Sequence, residues 1–260
     1  MKKKIAILGC GNMGGAIAAS LPADSYSVVC TAATEQTVCR VAKDIPTAAF
    51  TLDNAAAVEE ADIVVIAVKP FIFPEILPYI KPALKPGAIV ISVIAGLTIA
   101  DLDQMLDARE KDCTVVRVIP NTAIRNHKSV TFVAVGENVP KDKTDEVMEI
   151  FNRSGKAFLI PEKNMAACTA LASCGIAFFL RFIRAAAEGG VELGLKPGFA
   201  TEVAALTAEG AASLLADGSH PEVEIDKVTT PGGITIKGLN EMEAHGFTAA
   251  VIAALKATVK

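Results

Sequence analysis

The chain has 260 residues, of which 52% are hydrophobic and 21% are charged, and its net charge is −4. This apolar content excludes intrinsic disorder, because the chain can bury enough surface to offset the entropy lost on folding. Since neither sign of charge dominates, the chain lacks the basic face of a nucleic-acid groove, and we expect no nucleic-acid partner.

We also expect no membrane segment and no targeting signal. The uncharged stretch 165–180 is shorter than the roughly 20 residues of a spanning helix, so it is predicted to be a buried helix. The N-terminal apolar run 5–10 is too short for a signal-peptide core. These patterns predict a cytoplasmic protein with reduced cysteines, and its scattered histidines predict no metal site.

Short β-type runs alternate with helix-length segments along residues 1–160. In chain order the pattern predicts strand 4–9, helix 13–21, strand 27–31, helix 34–44, strand 48–52, a helix from 53 or 54 to 61, strand 62–68, helix 71–80, strands 88–94, 114–119 and 129–135, helix 141–152 and strand 156–160. This alternation is typical of an α/β fold with a doubly wound, Rossmann-type sheet.

After Pro161, which suits the first position of a helix, only helices are predicted. They cover 162–190, 197–216, 235–244 and the residues from 248 onwards, with a loop-rich stretch at 217–233. The sequence thus predicts an α/β domain, 1–160, and an all-helical domain, 161–260. A helical domain this apolar is expected to pack against a second copy of the chain.

A glycine motif follows the first predicted strand and opens the first helix. Gly9, Gly11 and Gly14 fit the G-x-G-x-x-G pattern, which in this position predicts a dinucleotide-binding domain. Gly9 permits a tight turn, Gly11 lets a pyrophosphate approach the backbone, and Gly14 lets helix and strand pack closely. The helix that begins at Asn12 and Met13 would then bind the phosphates through its free N–H groups.

The end of the second strand is where such domains distinguish NAD from NADP. The sequence has no acidic residue there for a ribose 2′-hydroxyl, and no arginine before Arg40 for a 2′-phosphate. Thr31 and Thr34 offer hydroxyls to a phosphate instead, so we predict NADPH, with NADH as the alternative. For each threonine, a turn or helix cap is the other role left open.

Ligands of open α/β sheets bind at the carboxyl ends of the strands. Residues 67–70 follow the fourth predicted strand, and the Ala95-Gly96 pair follows the fifth. Lys69 is a candidate phosphate ligand, although a solvated surface lysine is the plain alternative.

A second cluster precedes the predicted helix 235–244. Residues 227–235 read Lys-Val-Thr-Thr-Pro-Gly-Gly-Ile-Thr. Hydroxyl side chains, a proline and paired glycines before a helix expose several backbone N–H groups, which suits a carboxylate ligand. Thr235 would turn its hydroxyl toward that ligand; the alternative is an ordinary helix entry with Thr235 as its cap.

These motifs resemble those of the pyrroline-5-carboxylate reductase family over nearly the whole chain. The most specific part is the block 228–235, followed by Gly246-Phe247; segments 67–70, 92–96, 120–122 and 220–221 add to it. The resemblance implies a Rossmann domain, NADPH or NADH as cofactor, and a helical domain that forms homodimers and larger rings of dimers. It also implies reduction of 1-pyrroline-5-carboxylate to proline, the last step of proline synthesis.

The resemblance further implies roles for individual residues. Asn54 would approach the adenosine ribose. Our own mechanistic hypothesis adds that Thr235 hydrogen-bonds the imine nitrogen, orients the ring and relays a proton from water. The cofactor loops would contain Ala67, Val68, Lys69, Pro70 and Ala95. The substrate pocket, between one chain's Rossmann domain and the other chain's helices, would contain Val228, Thr230, Gly232, Gly233 and Thr235.

Departures from the family pattern keep two alternatives open. Residues 172–177 read Ala-Ser-Cys-Gly-Ile-Ala, where the family usually has Ser-Gly-Ser-Gly-Pro-Ala, and Ala123 replaces a proline. The alternatives are a reductase of a different cyclic imine acid and a non-catalytic NADP-binding dimer. A β-hydroxyacid dehydrogenase is disfavoured. Such enzymes have a catalytic Lys followed four residues later by Asn in the long helix, whereas the one lysine of this helix, Lys163, is followed at position 167 by Ala.

Overall fold

The computed structural model describes residues 2–259, which form two compact units divided between Ser173 and Cys174. The first unit is built on an eight-stranded sheet and the second consists of helices.

The sheet of the first unit has six parallel strands followed by a reversed pair. In chain order the strands are β1 (Lys3–Leu8), β2 (Tyr26–Thr31), β3 (Ala49–Thr51), β4 (Ile63–Ile66), β5 (Ile89–Ser92), β6 (Thr114–Ile119), β7 (Ser129–Val135) and β8 (Gly155–Leu159). Their spatial order is β3-β2-β1-β4-β5-β6-β7-β8. Strand β7 is antiparallel to β6, and β8 is parallel to β7. The predicted doubly wound α/β fold is confirmed.

The core of this unit lies in two layers, one on each face of the sheet. Ile5 and Ile7 of β1 belong to one layer, whereas Ala6 and Leu8 belong to the other, because successive side chains of a strand point to opposite faces. All residues of β4 and β5 are buried, as expected for central parallel strands covered on both faces.

Among the residues that the structure describes, six helices that connect the strands surround the sheet, and the sequence pattern predicts all of them but one. They are α1 (Asn12–Ser20), α2 (Glu35–Val41), α3 (Asn54–Val58), α4 (Phe73–Ala83), α5 (Ile99–Leu106) and α6 (Lys141–Asn152). The missed helix, α5, begins with a capping box in which Thr98 and Asp101 each accept a hydrogen bond from the other's backbone N–H. That threonine followed three residues later by an acid was the available signal.

The predicted helix 162–190 is not a regular α-helix along its length. A 3-10 turn, Glu162–Asn164, leads into α7 (Met165–Thr169) and a π-helical turn, Ala170–Cys174, before α8 (Gly175–Glu192). Met165 and Ala170 are buried, and Met165 packs in the core of the first unit. The compact units therefore divide within this helix, after Ser173, whereas the sequence places the domain boundary at 160.

The second unit contains one helix that sequence analysis placed in a loop. After α8 come α9 (Pro197–Ser213), α10 (Pro221–Lys227), α11 (Ile234–Ala244) and α12 (Phe247–Ala257). Helix α10 lies inside the stretch 217–233 that was expected to be loop-rich. Pro221 occupies its first turn and the ring of His220 accepts the N–H of Glu222, so this short helix is set by its cap rather than by an apolar repeat.

The prediction that the stretch 165–180 is a buried helix is wrong for the single chain. In α8 only Gly175 and Ala187 are buried, while Phe179 is 69% exposed and Leu180 is 60% exposed. Within the helical segment Glu162–Glu192, an 18-residue window has a mean hydropathy of 1.8, so by length and composition alone this segment could cross a membrane. Its apolar side chains therefore need a cover that one chain does not supply.

Asp62 connects the starts of β1 and the neighbouring α4–β5 segment. Its carboxylate accepts hydrogen bonds from the Lys4 N–H at 2.9 Å and from the Lys85 ammonium at 2.7 Å. The bond from Lys85, followed by the bond from Lys4, holds the pKa of Asp62 below its usual value. A carboxyl with a lowered pKa in the folded state stabilises the fold above its unfolded pKa, and this stabilisation is lost as the pH falls through the folded pKa.

We therefore expect Asp62→Ala to lower the free energy of unfolding by about 1 kcal/mol at pH 7. The difference from the parent chain should shrink as the pH falls below about 4. Denaturant unfolding at several pH values measures it, with exposed Asp44→Ala as the control for loss of one surface carboxylate. A difference that stays constant down to acid pH would contradict this role.

Candidate active site

The glycine turn after β1 lies where the strand order changes direction, between β1 and β4. Gly9 has a φ of +89°, and a Cβ added there would lie 2.7 Å from Cγ1 of Val68. A Cβ added at Gly14 would overlap the Gly9 carbonyl oxygen and lie 3.2 Å from Cβ of Ala67. Two of the three motif glycines are thus required by close packing against the end of β4.

The third glycine borders open space. A Cβ added at Gly11 would have no atom within 4 Å, and α1 begins after Gly11 with no side-chain cap. Asn12 is exposed, whereas Met13 packs against the core and offers the site only its backbone. Uncapped N–H groups facing an open cradle fit a pyrophosphate.

Thr31, at the end of β2, is engaged within the fold. It is 2% exposed, its hydroxyl accepts the Gly9 N–H at 3.1 Å, and it donates to Oδ1 of Asn54 at 2.6 Å. The expected hydroxyl for a 2′-phosphate is therefore already hydrogen-bonded on both sides. Asn54, the first residue of α3, is brought to the glycine turn through this contact.

The second threonine considered for a phosphate is a helix cap. Thr34 accepts the Thr37 N–H at 3.2 Å and its hydroxyl also lies 3.1 Å from that of Thr37. Glu35, an acidic residue, opens α2, and Arg40 lies in its last turn. The helix-cap alternative for Thr34 is what the structure shows.

The other cofactor residues follow β4 and β5 at the same edge of the sheet. Ala67 donates its N–H to the carbonyl of Leu8 at 2.8 Å, so the chain continues beside the glycine turn. Ala67 and Val68 are half-buried, while Lys69 and Pro70 are exposed. Ala95, which follows β5, is also exposed. The phosphate contact expected of Lys69 stays a prediction.

Asn121 is a buried residue at this edge that was not predicted from the sequence to be a site residue. It is 4% exposed, its Oδ1 accepts the Ala123 N–H at 3.1 Å, and its Nδ2 donates to the carbonyl of Ala172 at 3.3 Å. It therefore holds the π-helical turn against the loop after β6. Two signals pointed to it: its place two residues after the predicted strand 114–119, and its membership of segment 120–122 in the family resemblance.

Cys10 and Cys30 lie beneath the glycine turn and are both buried. The hydrogen bond to Cys10, together with burial, raises the pKa of the Cys30 thiol, so this thiol stays protonated. Within residues 2–259, no three His, Cys, Asp or Glu side chains are grouped to hold a metal ion.

In the second unit, the turn before α11 has the geometry of an anion site. Gly232 has a φ of +72°, and Gly233 donates its N–H to the carbonyl of Thr230 at 2.9 Å. A Cβ added at Gly233 would lie 2.5 Å from Oγ1 and 3.0 Å from the carbonyl oxygen of Thr230, so a larger residue would require Thr230 to shift. The block brings together Thr230, both glycines, exposed Val228 at the end of α10, and Thr235.

Thr235 is not the cap of α11. The helix begins at Ile234 after Gly233, and no side chain caps it. Thr235 is exposed in the first turn, so its hydroxyl stands beside the uncapped N–H groups. This arrangement can hold a carboxylate and present a hydroxyl next to it.

Two family models match the two parts of the chain. Residues 4–96 match the model described as NADP oxidoreductase coenzyme F420-dependent, and residues 162–260 match pyrroline-5-carboxylate reductase dimerisation. The resemblance found in the sequence motifs is thereby confirmed.

Curated relatives and solved structures agree with these models. Pyrroline-5-carboxylate reductase 1 of Dictyostelium discoideum is 42% identical over 95% of this chain, which spans 47% of that protein. Pyrroline-5-carboxylate reductase 2 of the same organism is 39% identical over 96% of this chain and 89% of its own length.

Among solved structures, Plasmodium falciparum pyrroline carboxylate reductase with NADP bound has a TM-score of 0.88 and 27% identity. The match covers 99% of this chain and 95% of that one. The match to the second Dictyostelium discoideum reductase, at 39% identity, extends over most of both proteins. The chain therefore belongs to the pyrroline-5-carboxylate reductase family of NAD(P)H-dependent oxidoreductases.

Proposed function

We propose that the chain reduces 1-pyrroline-5-carboxylate to L-proline with NAD(P)H, as the last step of proline biosynthesis. The observation that carries the proposal is the turn Thr230–Thr235, where the uncapped N–H groups at the start of α11 lie next to the exposed residue Thr235. A cyclic imine with a carboxylate substituent presents groups that match both. The family assignment and the glycine cradle of the first unit support the same chemistry.

The residues of the first unit fit a dinucleotide. The N–H groups at the start of α1 would hold the pyrophosphate in the open space beside Gly11, and Asn54 would meet the adenosine ribose. Bound there, the reduced nicotinamide supplies the hydride. Preference for NADPH over NADH stays a prediction, supported by the NADP bound to the Plasmodium falciparum relative.

The residues of the second unit would bind and orient the imine acid. The backbone N–H of Gly232 and the uncapped N–H groups at the start of α11, with Thr230, would hold its carboxylate beside Gly233, whose own N–H is already bonded to the Thr230 carbonyl. The Thr235 hydroxyl would hydrogen-bond the imine nitrogen and pass it a proton from water, because a threonine hydroxyl is too weak an acid to protonate the ring alone. Fixed orientation of two bound reactants contributes about 7–11 kcal/mol in favourable cases.

The proposal is tested with purified protein, 1-pyrroline-5-carboxylate and either reduced cofactor. We expect oxidation of the cofactor that depends on the imine, and the two rates give the cofactor preference. Cofactor binding without turnover of any imine acid would instead favour the non-catalytic NADP-binding dimer.

A reductase of another cyclic imine acid is the second candidate, favoured by one observation. The departure from the family pattern at 172–177 overlaps the π-helical turn Ala170–Cys174, and such turns occur frequently at functional sites. Six-membered and linear imine acids in the same assay distinguish the two candidates. Turnover of a six-membered imine but not of pyrroline-5-carboxylate would establish the second.

We further propose that the helical unit forms a homodimer and that neither a membrane nor a nucleic acid is its partner. Helices α8, α9 and α12 all expose large apolar side chains, among them Phe179, Leu206 and Ile252, and the family model of this region describes dimerisation. A second copy of the same unit would cover the face of α8 as part of this larger apolar surface. Rings of dimers are a further expectation.

We expect Phe179→Asp to convert the dimer to a monomer, because a charge in a dry interface is costly. The dimer dissociation constant should rise at least about a hundredfold. Size-exclusion chromatography with light scattering measures it, with Lys43→Asp, on the exposed surface of the first unit, as the charge control. A variant that stays dimeric would contradict this interface.

A cytoplasmic location is also proposed. All six cysteines are free thiols, which a reducing compartment would preserve. Fractionation of cells that express the chain tests this proposal.

A further inference from the structure

The Thr31 hydroxyl joins two segments that are distant in the sequence. Gly9, in the glycine turn, donates its N–H to Oγ1 of Thr31 at 3.1 Å, and Oγ1 donates to Oδ1 of Asn54 at 2.6 Å. Thr31 is 2% exposed, so both bonds lie largely out of water. A buried polar group of this kind is costly to leave unpaired.

The direction of these two bonds fixes the side-chain amide of Asn54. A backbone N–H can only donate, so Gly9 occupies an acceptor position of the hydroxyl, and the single hydroxyl proton is left for Asn54. Only the amide oxygen can receive that proton. The Nδ2 group of Asn54, with its two N–H donors, is therefore left for another partner at the carboxyl edge of the sheet.

We infer that Thr31 is a positioning residue, which holds Asn54 so that Nδ2 donates to the ribose of the bound dinucleotide. The inference rests on the proposed function only in taking a dinucleotide as the ligand of this site. It replaces the direct contact between Thr31 and a 2′-phosphate that the sequence suggests. The adenosine riboses of NADP and NAD differ only at the 2′ position, so donation from Nδ2 to the 3′-hydroxyl, which both cofactors carry, lets Thr31 support NADP and NAD equally.

The experiment compares the affinities of NADP⁺ and NAD⁺ for the full-length parent and for Thr31→Val and Thr31→Ser, using isothermal titration calorimetry. We expect Thr31→Val to weaken both dinucleotides by about tenfold with their ratio unchanged. Thr31→Ser should restore both affinities. A loss confined to NADP⁺ would show a phosphate contact, and unchanged affinities would show no role; either result overturns the inference.

A double variant separates this role from a simple disturbance of the glycine turn. If Thr31 acts through Asn54, Asn54→Ala should cost little further affinity when added to Thr31→Val, because contacting residues are not additive. Full additivity would instead place the whole effect at Gly9 and overturn the inference. Thr114→Val, a buried strand threonine in β6, is the matched control and should leave both affinities unchanged.

Thermal unfolding of every variant is the check that the fold is retained. In steady-state assays, Thr31→Val should raise the KM of the cofactor and leave kcat at saturation unchanged. The binding measurements need no imine, so they stand even if the chain fails to reduce pyrroline-5-carboxylate.

Discussion

Gly14→Ala is expected to remove dinucleotide binding while leaving the sheet folded. A Cβ at this position would overlap the Gly9 carbonyl oxygen, which is backbone and cannot rotate away. The start of α1 and the glycine turn must then move apart. A misplacement of about 1 Å in a binding site can cost about a hundredfold, and we expect at least this loss in affinity for both NADP⁺ and NAD⁺.

Calorimetric titration measures the loss, and the free energy of unfolding should fall by about 1–3 kcal/mol, as for other overpacked sites. Gly136→Ala is the matched control, because a Cβ there would meet only Cγ2 of Val139 at 3.9 Å. Binding by Gly14→Ala at the parent's affinity would show that the glycine turn does not hold the phosphates.

Thr235→Ala is expected to lower kcat at least about tenfold with the fold and cofactor affinity intact. Its hydroxyl is exposed beside the uncapped start of α11, so removing it disturbs no side-chain cap. What is lost is the hydrogen bond that orients the imine nitrogen and the path by which water supplies its proton.

Thr235→Ser keeps the hydroxyl and should retain most of kcat. Thr248→Ala removes a hydroxyl of the same unit that donates to Glu243 at 2.8 Å, and it serves as the control for a lost threonine. Steady-state kinetics with saturating cofactor measures all three variants, and parent-like turnover by Thr235→Ala would rule out its proposed role.

The parallel sheet could be predicted because its central strands, such as β4 and β5, are short runs of Ile and Val that need cover on both faces. Helices α5 and α10 escaped prediction because both are short. Each begins with capping bonds, and the apolar face of α5 spans only Ile99, Leu102 and Leu106. The exposure of α8 could not be deduced either. The same apolar composition suits a buried core helix and a helix that awaits a partner.

Within the candidate site, the glycine motif and the turn before α11 were identifiable because each is continuous in sequence. The role of Thr31 was not, because it depends on three separate segments that meet only in the folded sheet. Sequence alone offered its hydroxyl as a free ligand, whereas the fold has already used its one proton and one of its two lone pairs. Asn121 is similar, since its partner Ala172 is distant along the chain.

The contrast between the two units has a consequence for the life of the chain after synthesis. The first unit encloses its own apolar layers, while large side chains such as Phe179 and Leu180 of α8 stay open to water. If the chain forms the proposed homodimer, a newly made chain would complete its first unit alone, whereas its helical unit would gain stability by mass action as the concentration of other copies rises. Dissociation of that dimer on dilution would expose the apolar surface of the helical unit. The monomer would then be the form most prone to aggregation and proteolysis.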